Sequence, residues 1–407
     1  MNNITDLSKE YNYFYYFCGF TLFFALPVYF RWNNSQFNIL VYFYIWLLFY
    51  YLFKGKVEKE SLVLAAAFSL LFVWERFTYN VNIVALSLNL LLPFSILIPI
   101  GERTKIMDCF ILKIFPVLLG VSVIAYILWM FAGLNLPTSH LAALNDLKDY
   151  DYITHVFFVT PTGIDSLRFH SYYDEPGVVG TFSAIILFFY NKKLPLWAWM
   201  IYLVAGFLSF SFFFYGIMIL YPLALGNAKL SKRTWRIIIG VIMVLIVFSF
   251  FERSIIDDYV FNRFEIVDSG FAGDNRNNQY FRDFFYNTFI HSGELLFGSS
   301  NLSSGKSFTG GSFSIEVMIY RYGLIFVIYG TILYLYLLWK YRISDKQFFI
   351  TTLIWLLLTY QRPSFTSIFY YIFFTTVLQS NALLKQKRSL NEPKKDFEGQ
   401  QLSYSTP

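Results

Sequence analysis

Charge is what this chain has least of. Only 14% of its 407 residues are Asp, Glu, Lys or Arg, while 57% are hydrophobic and 22% aromatic, more apolar material than a soluble domain of that length needs to fill its interior. Cysteine is nearly absent: Cys18 and Cys109 fall in or beside apolar runs, which excludes a disulfide framework and a cysteine-built metal site. Histidine is confined to His140, His155, His170 and His291, without ligand spacing. There is no G-x-x-x-x-G-K-[ST] phosphate loop, no H-E-x-x-H, no G-x-S-x-G and no C-x-x-C, so ATP-driven transport, zinc proteolysis and serine hydrolysis lack their usual machinery. One D-x-D, Asp149 and Asp151, has the form that holds a divalent metal in sugar-nucleotide enzymes. It lies in a segment assigned below to the outer face, where nucleotide sugars are absent. Apolar runs nearly empty of charge also argue against an ion-coupled transporter, which needs ionisable groups at mid-depth. No internal repeat is visible.

What is present is a succession of long apolar runs. Membrane spans are expected at 11–30, 37–53, 61–74, 81–100, 106–133, 177–190, 195–208, 210–226, 237–251, 313–339, 347–360 and 364–384, with both chain ends inside. The first run is not followed by an A-x-A-like cleavage site and reads as a retained anchor. Since a span takes about 20 apolar residues, the third, sixth, seventh and eleventh are short. Leu194 to Gly226 reads either as two short spans or as one long tilted span. The basic residues decide between them. With two spans, fifteen Lys and five Arg lie inside, two Lys and nine Arg lie outside, and Lys113 sits in the fifth span, in line with the positive-inside rule. One span would turn Lys229, Lys232, Arg233, Arg236 and the Lys-rich tail outward.

The resulting plan is five spans over 1–133, a long outward loop over 134–176, four spans over 177–251, a second outward loop over 252–312, three spans over 313–384, and a disordered inner tail over 385–407. The outward basic set is Arg31, Arg76, Arg168, Arg253, Arg263, Arg276, Arg282, Arg321 and Arg362 with Lys148 and Lys306. Arginine grips phosphate or carboxylate through parallel hydrogen bonds that lysine cannot reproduce, which points to an anionic ligand outside; positive-inside selection on a small sample is the plainer explanation.

The first loop ends in SLRFHSYYDEP, residues 166–176. Arg168, His170, Asp174 and Glu175 crowd against the membrane there, as a helix N-terminus with surface charges or as a site with tuned carboxylates. In the second loop, residues 274–298 predict a helix whose stripe of Tyr280, Phe281, Phe284 and Phe285 lies on the membrane surface. Arg276 and Arg282 lie along it, with His291 beyond, and GSSNLSSGKSFTGGS, 298–312, reads as linker. Glu316, Arg321, Gln361, Arg362 and Pro363 complete the outer rim, Glu316 and Arg321 reading equally as an ion pair or as substrate ligands.

Four stretches carry a resemblance: RFHSYYDEPGVVG, R-N-N-Q-Y-F-R leading into LLFG, S-F-S-I-E-V-M-I-Y-R-Y-G-L-I at 312–325, and YQRPSF at 360–365. Together they resemble the bacterial O-antigen and capsule repeat-unit polymerases (Wzy type). Those proteins carry many spans, two large periplasmic loops and an Arg-x10-Gly pattern in the loops. Arg282 to Gly293 fits the pattern; Arg168 to Gly180 is one residue too long. The related O-antigen ligases carry a His-Asn about a dozen residues before the glycine opening the span after the second loop; here the stretch before Gly323 reads GSFSIE, with Ser312 and Ser314 and no His.

The resemblance implies an all-α integral membrane glycosyltransferase of the inner, plasma membrane that uses undecaprenyl-pyrophosphate-linked glycans at the outer face, needs no cofactor or metal, binds no nucleic acid, and works with membrane lipid and a chain-length regulator. Arg168, Glu175, Arg276 and Arg282 are the expected catalytic residues, the arginines facing the leaving pyrophosphate, with Glu175 before His170 as base. His170, Asp174, His291, Glu316, Arg321 and Arg362 are the expected substrate contacts. A ligase, or a flippase or exporter of lipid-linked sugars, is the competing expectation.

Overall fold

Helices begin where the sequence supplies caps. Ser314 and Ser344 each accept a hydrogen bond from a backbone N–H three residues on, at 3.2 Å, and Pro176 opens the helix after the acidic pair Asp174–Glu175. The computed structural model describes residues 13–24, 26, 28–31, 55, 57–77, 93–142, 151–162, 168–225, 266–267, 270–271, 279–299, 314–367 and 370–380. Among them the fold is mostly helical: α1 Tyr13–Phe24, α2 Lys59–Phe77, α3 Ile100–Ala132, α4 Pro176–Tyr190, α5 Leu196–Leu208, α6 Phe212–Leu225, α7 Gln279–Asn287, α8 Ile315–Tyr322, α9 Leu324–Lys340, α10 Asp345–Gln361 and α11 over 370–380.

Among the described residues α3 alone is long and apolar enough to cross a membrane, joined by α8 with α9 if those two count as one span. The expected spans at 37–53 and 237–251, most of that at 81–100, and the tail lie outside the described residues. Between Leu194 and Leu225 the chain forms two helices, broken at Ser209–Ser211, where Phe210 takes φ +49. The expected tenth span, 313–339, is broken, because α8 and α9 meet at 116° across Gly323.

α3 contains Pro116, which lacks the N–H a helix interior needs. The helix widens into a π turn over Phe110–Ile114 just before it, as such bulges do where the ladder is interrupted. Pro116 cannot serve the carbonyl of Ile111, five residues back, and the Tyr202 hydroxyl donates to it at 2.8 Å. Buried tyrosines repeat this service elsewhere: Tyr371 donates to the Pro93 carbonyl at 2.6 Å and Tyr334 to that of Phe365 at 3.0 Å. These three tyrosines therefore satisfy backbone carbonyls inside the apolar core.

The segment expected as the first outward loop holds a three-stranded antiparallel sheet, which an all-α reading did not foresee: β1 Ser139–Leu141, β2 Tyr152–Thr154 and β3 Val159–Pro161, in that order. Three-residue strands are too short to reveal a period of two. A two-residue pair, β4 Ile266–Val267 with β5 Gly270–Phe271, lies in the second loop.

Candidate functional site

The segment 168–175 is tied down along its length. Phe169 donates to the Leu208 carbonyl at 2.8 Å, Val159 to that of Ser171 at 2.9 Å, and Tyr29 to that of Tyr172 at 2.8 Å. The Arg168 guanidinium donates to the carbonyls of Ser209 and Phe210, at 3.2 and 3.4 Å. It caps the negative end of α5, a structural use of the charge. His170 is buried, with its ring edge-on to Tyr152 at 6.3 Å. The Asp174 carbonyl accepts from the Tyr152 hydroxyl at 2.7 Å.

Glu175 occupies the N-cap position of α4, yet its carboxylate makes no capping bond and meets Arg362 at 2.7 Å. The two lie far apart in the sequence, Glu175 near the middle of the chain and Arg362 toward its C-terminal end. Arg362 lies so close over the first turn of α4 that a Cβ at Gly177 would stand 2.6 Å from its guanidinium. Burial works against this charge, and Glu175, with Tyr370 and Asp174 nearby, more than offsets it, so Arg362 holds its proton above the usual arginine range.

The aromatic stripe expected to face the membrane from the second loop's helix is in part buried against protein. Phe281, Phe285 and Phe289 pack against Val317 and Tyr320 of α8 in a small core of their own, and Tyr280 stays exposed. The Tyr286 hydroxyl donates to Glu316 at 3.3 Å. Burial and that carboxylate raise the Tyr286 phenol, with Arg282 and Tyr360 in the same electrostatic surroundings. Thus Arg282 of α7, Glu316 of α8 and Tyr360 at the end of α10 share one neighbourhood, two positions from Arg362. His291 is exposed in the turn Phe289–His291, apart from this group. Arg321 stands in the last turn of α8. Arg276 lies outside the described residues.

Two residues of this end went unread in the sequence. Glu75, near the C-terminal end of α2, accepts a hydrogen bond from the Thr366 hydroxyl, and Trp74 donates through Nε1 to the Tyr322 carbonyl at 3.0 Å. A carboxylate placed just past an apolar run was the available signal. Ser314, one of the two serines where a ligase would carry His-Asn, is the buried N-cap of α8. Chemically, this end gathers carboxylates, guanidinium groups and hydroxyls above an apolar body, an arrangement suited to an anionic, hydroxyl-rich ligand. No family model, curated protein or solved structure matches the chain.

Proposed function

We propose that this chain is a multi-pass protein of the bacterial plasma membrane, with about twelve spans and both long loops outside, that polymerises repeat units carried on undecaprenyl pyrophosphate. One observation carries the reading. The four stretches that resemble the repeat-unit polymerases, far apart in sequence, are joined by contacts: Glu175 meets Arg362 at 2.7 Å, Tyr286 meets Glu316 at 3.3 Å, and Phe326, just past the third stretch, lies 5.9 Å between ring centroids from Phe365 of the fourth.

Two further features support the membrane part of the proposal. Polar contacts between distant residues sort by the side assigned from the sequence. Lys193–Asp108, Lys340–Glu60 and Arg103–Gln379 join inner-side residues; Glu175–Arg362, Glu75–Thr366 and Arg168–Ser209 join outer-side ones. Along α3, Val117, Val121, Ile124, Leu128 and Phe131 recur at helical spacing and are all exposed, the stripe that lipid would cover.

In the reaction, the acceptor sugar's hydroxyl oxygen bonds to the donor's anomeric carbon. The bond from that carbon to the pyrophosphate oxygen breaks, and the lipid pyrophosphate leaves with the electron pair. Arg282, with Arg276, offsets the charge that develops, Arg168 being engaged with the carbonyls that end α5, and Glu175, held by Arg362 at the positive end of α4, takes the hydroxyl proton. Gel electrophoresis of surface and carrier-linked glycan from a strain lacking the gene tests this. The expected product carries a single repeat unit in place of a ladder. Full-length polymer stranded on the carrier would instead mean a ligase, and repeat units trapped inside an exporter.

A further inference from the structure

Phe297 is an exposed aromatic ring held by rigid backbone. Its side chain is 65% exposed, yet the segment beneath it is clamped on both sides: Gly298 donates to the Glu294 carbonyl at 2.7 Å, Ser299 to that of Tyr320 at 2.7 Å, and Ile325 to that of Leu296 at 3.2 Å. The crossing requires two glycines. Gly298 and Gly323 take φ +90 and +88, and a Cβ at Gly298 would come within 2.5 Å of the Arg321 carbonyl. The ring lies nearly parallel to Trp74, at 15° and 6.3 Å between centroids, and the Trp74 indole is itself fixed by its bond to Tyr322 and by Phe326 edge-on at 6.2 Å. Phe326 leads to Phe365 at 5.9 Å, the neighbour of the Thr366 that holds Glu75.

We infer that Phe297 and Trp74 form a platform for the apolar face of a pyranose ring, with Glu75 beside it as acceptor for the sugar's hydroxyls. This inference rests on the glycan reading above and gives it a subsite. An aromatic pair with a neighbouring carboxylate matches a sugar, which presents C–H bonds on one face and hydroxyls at its edge; a flat ring collects the first and a carboxylate the second. A lipid chain would engage the rings alone and no hydrogen-bond acceptor beside them.

The test uses the full-length protein in lipid nanodiscs, titrated with the host strain's own repeat oligosaccharide released from its carrier by mild acid, and read by saturation-transfer NMR. The ring protons of one sugar face should receive the most saturation. Phe297→Ala should weaken binding about fivefold and Phe297→Tyr should restore it; because the ring is exposed, neither change hollows the core. Unchanged binding by Phe297→Ala, or no binding by the unaltered protein, overturns the inference. So does a nitroxide at Phe297→Cys that reports acyl-chain oxygen levels in sugar-free nanodiscs, which would make the rings a lipid anchor. The two readings fail separately: a strain lacking the gene that still makes a normal ladder removes the polymerase while Phe297-dependent sugar binding would stand.

Discussion

Single residues at this site divide by what they touch. Arg168 spends its guanidinium on the carbonyls ending α5, whereas Glu175 and Arg362 hold each other; all three look alike in sequence, as charges beside apolar runs. The glycines of the Arg-x10-Gly spacing separate in the same way. A Cβ at Gly180 would collide with Ser211 and come within 2.5 Å of the Ser209 hydroxyl, while one at Gly293 would meet nothing within 4 Å. Gly180→Ala should therefore destabilise the protein by roughly 1–3 kcal/mol, the usual range for overpacking, and Gly293→Ala should leave stability unchanged. Thermal-shift gel filtration in detergent measures both. The glycine in the Arg282 pair, which matches the spacing, is the one without a packing reason, so spacing and steric need are independent here.

Elements show what periodicity carries and what it misses. Three helices between Pro176 and Leu225 stand within two residues of their expected ends, because Pro176, Pro195 and the Ser209–Ser211 break punctuate continuous apolar sequence. The aromatic stripe of α7 was legible as a helix, but its partner was not, since a stripe buried against α8 and one buried in lipid have the same spacing. The hairpin between β2 and β3 was invisible for its brevity, and its histidine gives it a pH signature. His155 is buried between Trp129 and Phe158, with Nε2 3.0 Å from the Thr160 hydroxyl. Burial lowers its pKa from 6.5. The folded hairpin thus binds fewer protons than the unfolded chain once pH drops through about 6.5, so its stability is full above that value and declines below it. Hydrogen-exchange protection factors at residues 152–161, corrected for the intrinsic exchange rate at each pH, should fall on acidification below pH ~6.5, and His155→Gln should remove that dependence; an equal fall in both proteins would assign the effect elsewhere.

At the scale of the molecule, lysine and arginine counts give each apolar run an expected side, and several long-range polar contacts join residues expected on the same side. What the sequence could not convey was the set of contacts joining the four stretches, which depends on α10 and α11 bringing Arg362 onto α4 and on the 116° bend at Gly323 setting α8 beside α7. That the Glu175–Arg362 and Tyr286–Glu316 pairs serve one glycan-polymerising site is the central claim. Its most direct measurement supplies the purified full-length protein, in nanodiscs, with undecaprenyl-pyrophosphate-linked repeat units as the sole substrate, and resolves the glycan by gel. The account predicts a ladder of repeat units that Glu175→Gln and Arg282→Lys each suppress, since lysine does not reproduce the paired bonds of arginine. Substrate left unextended by the unaltered protein, or a ladder indifferent to both substitutions, would contradict it.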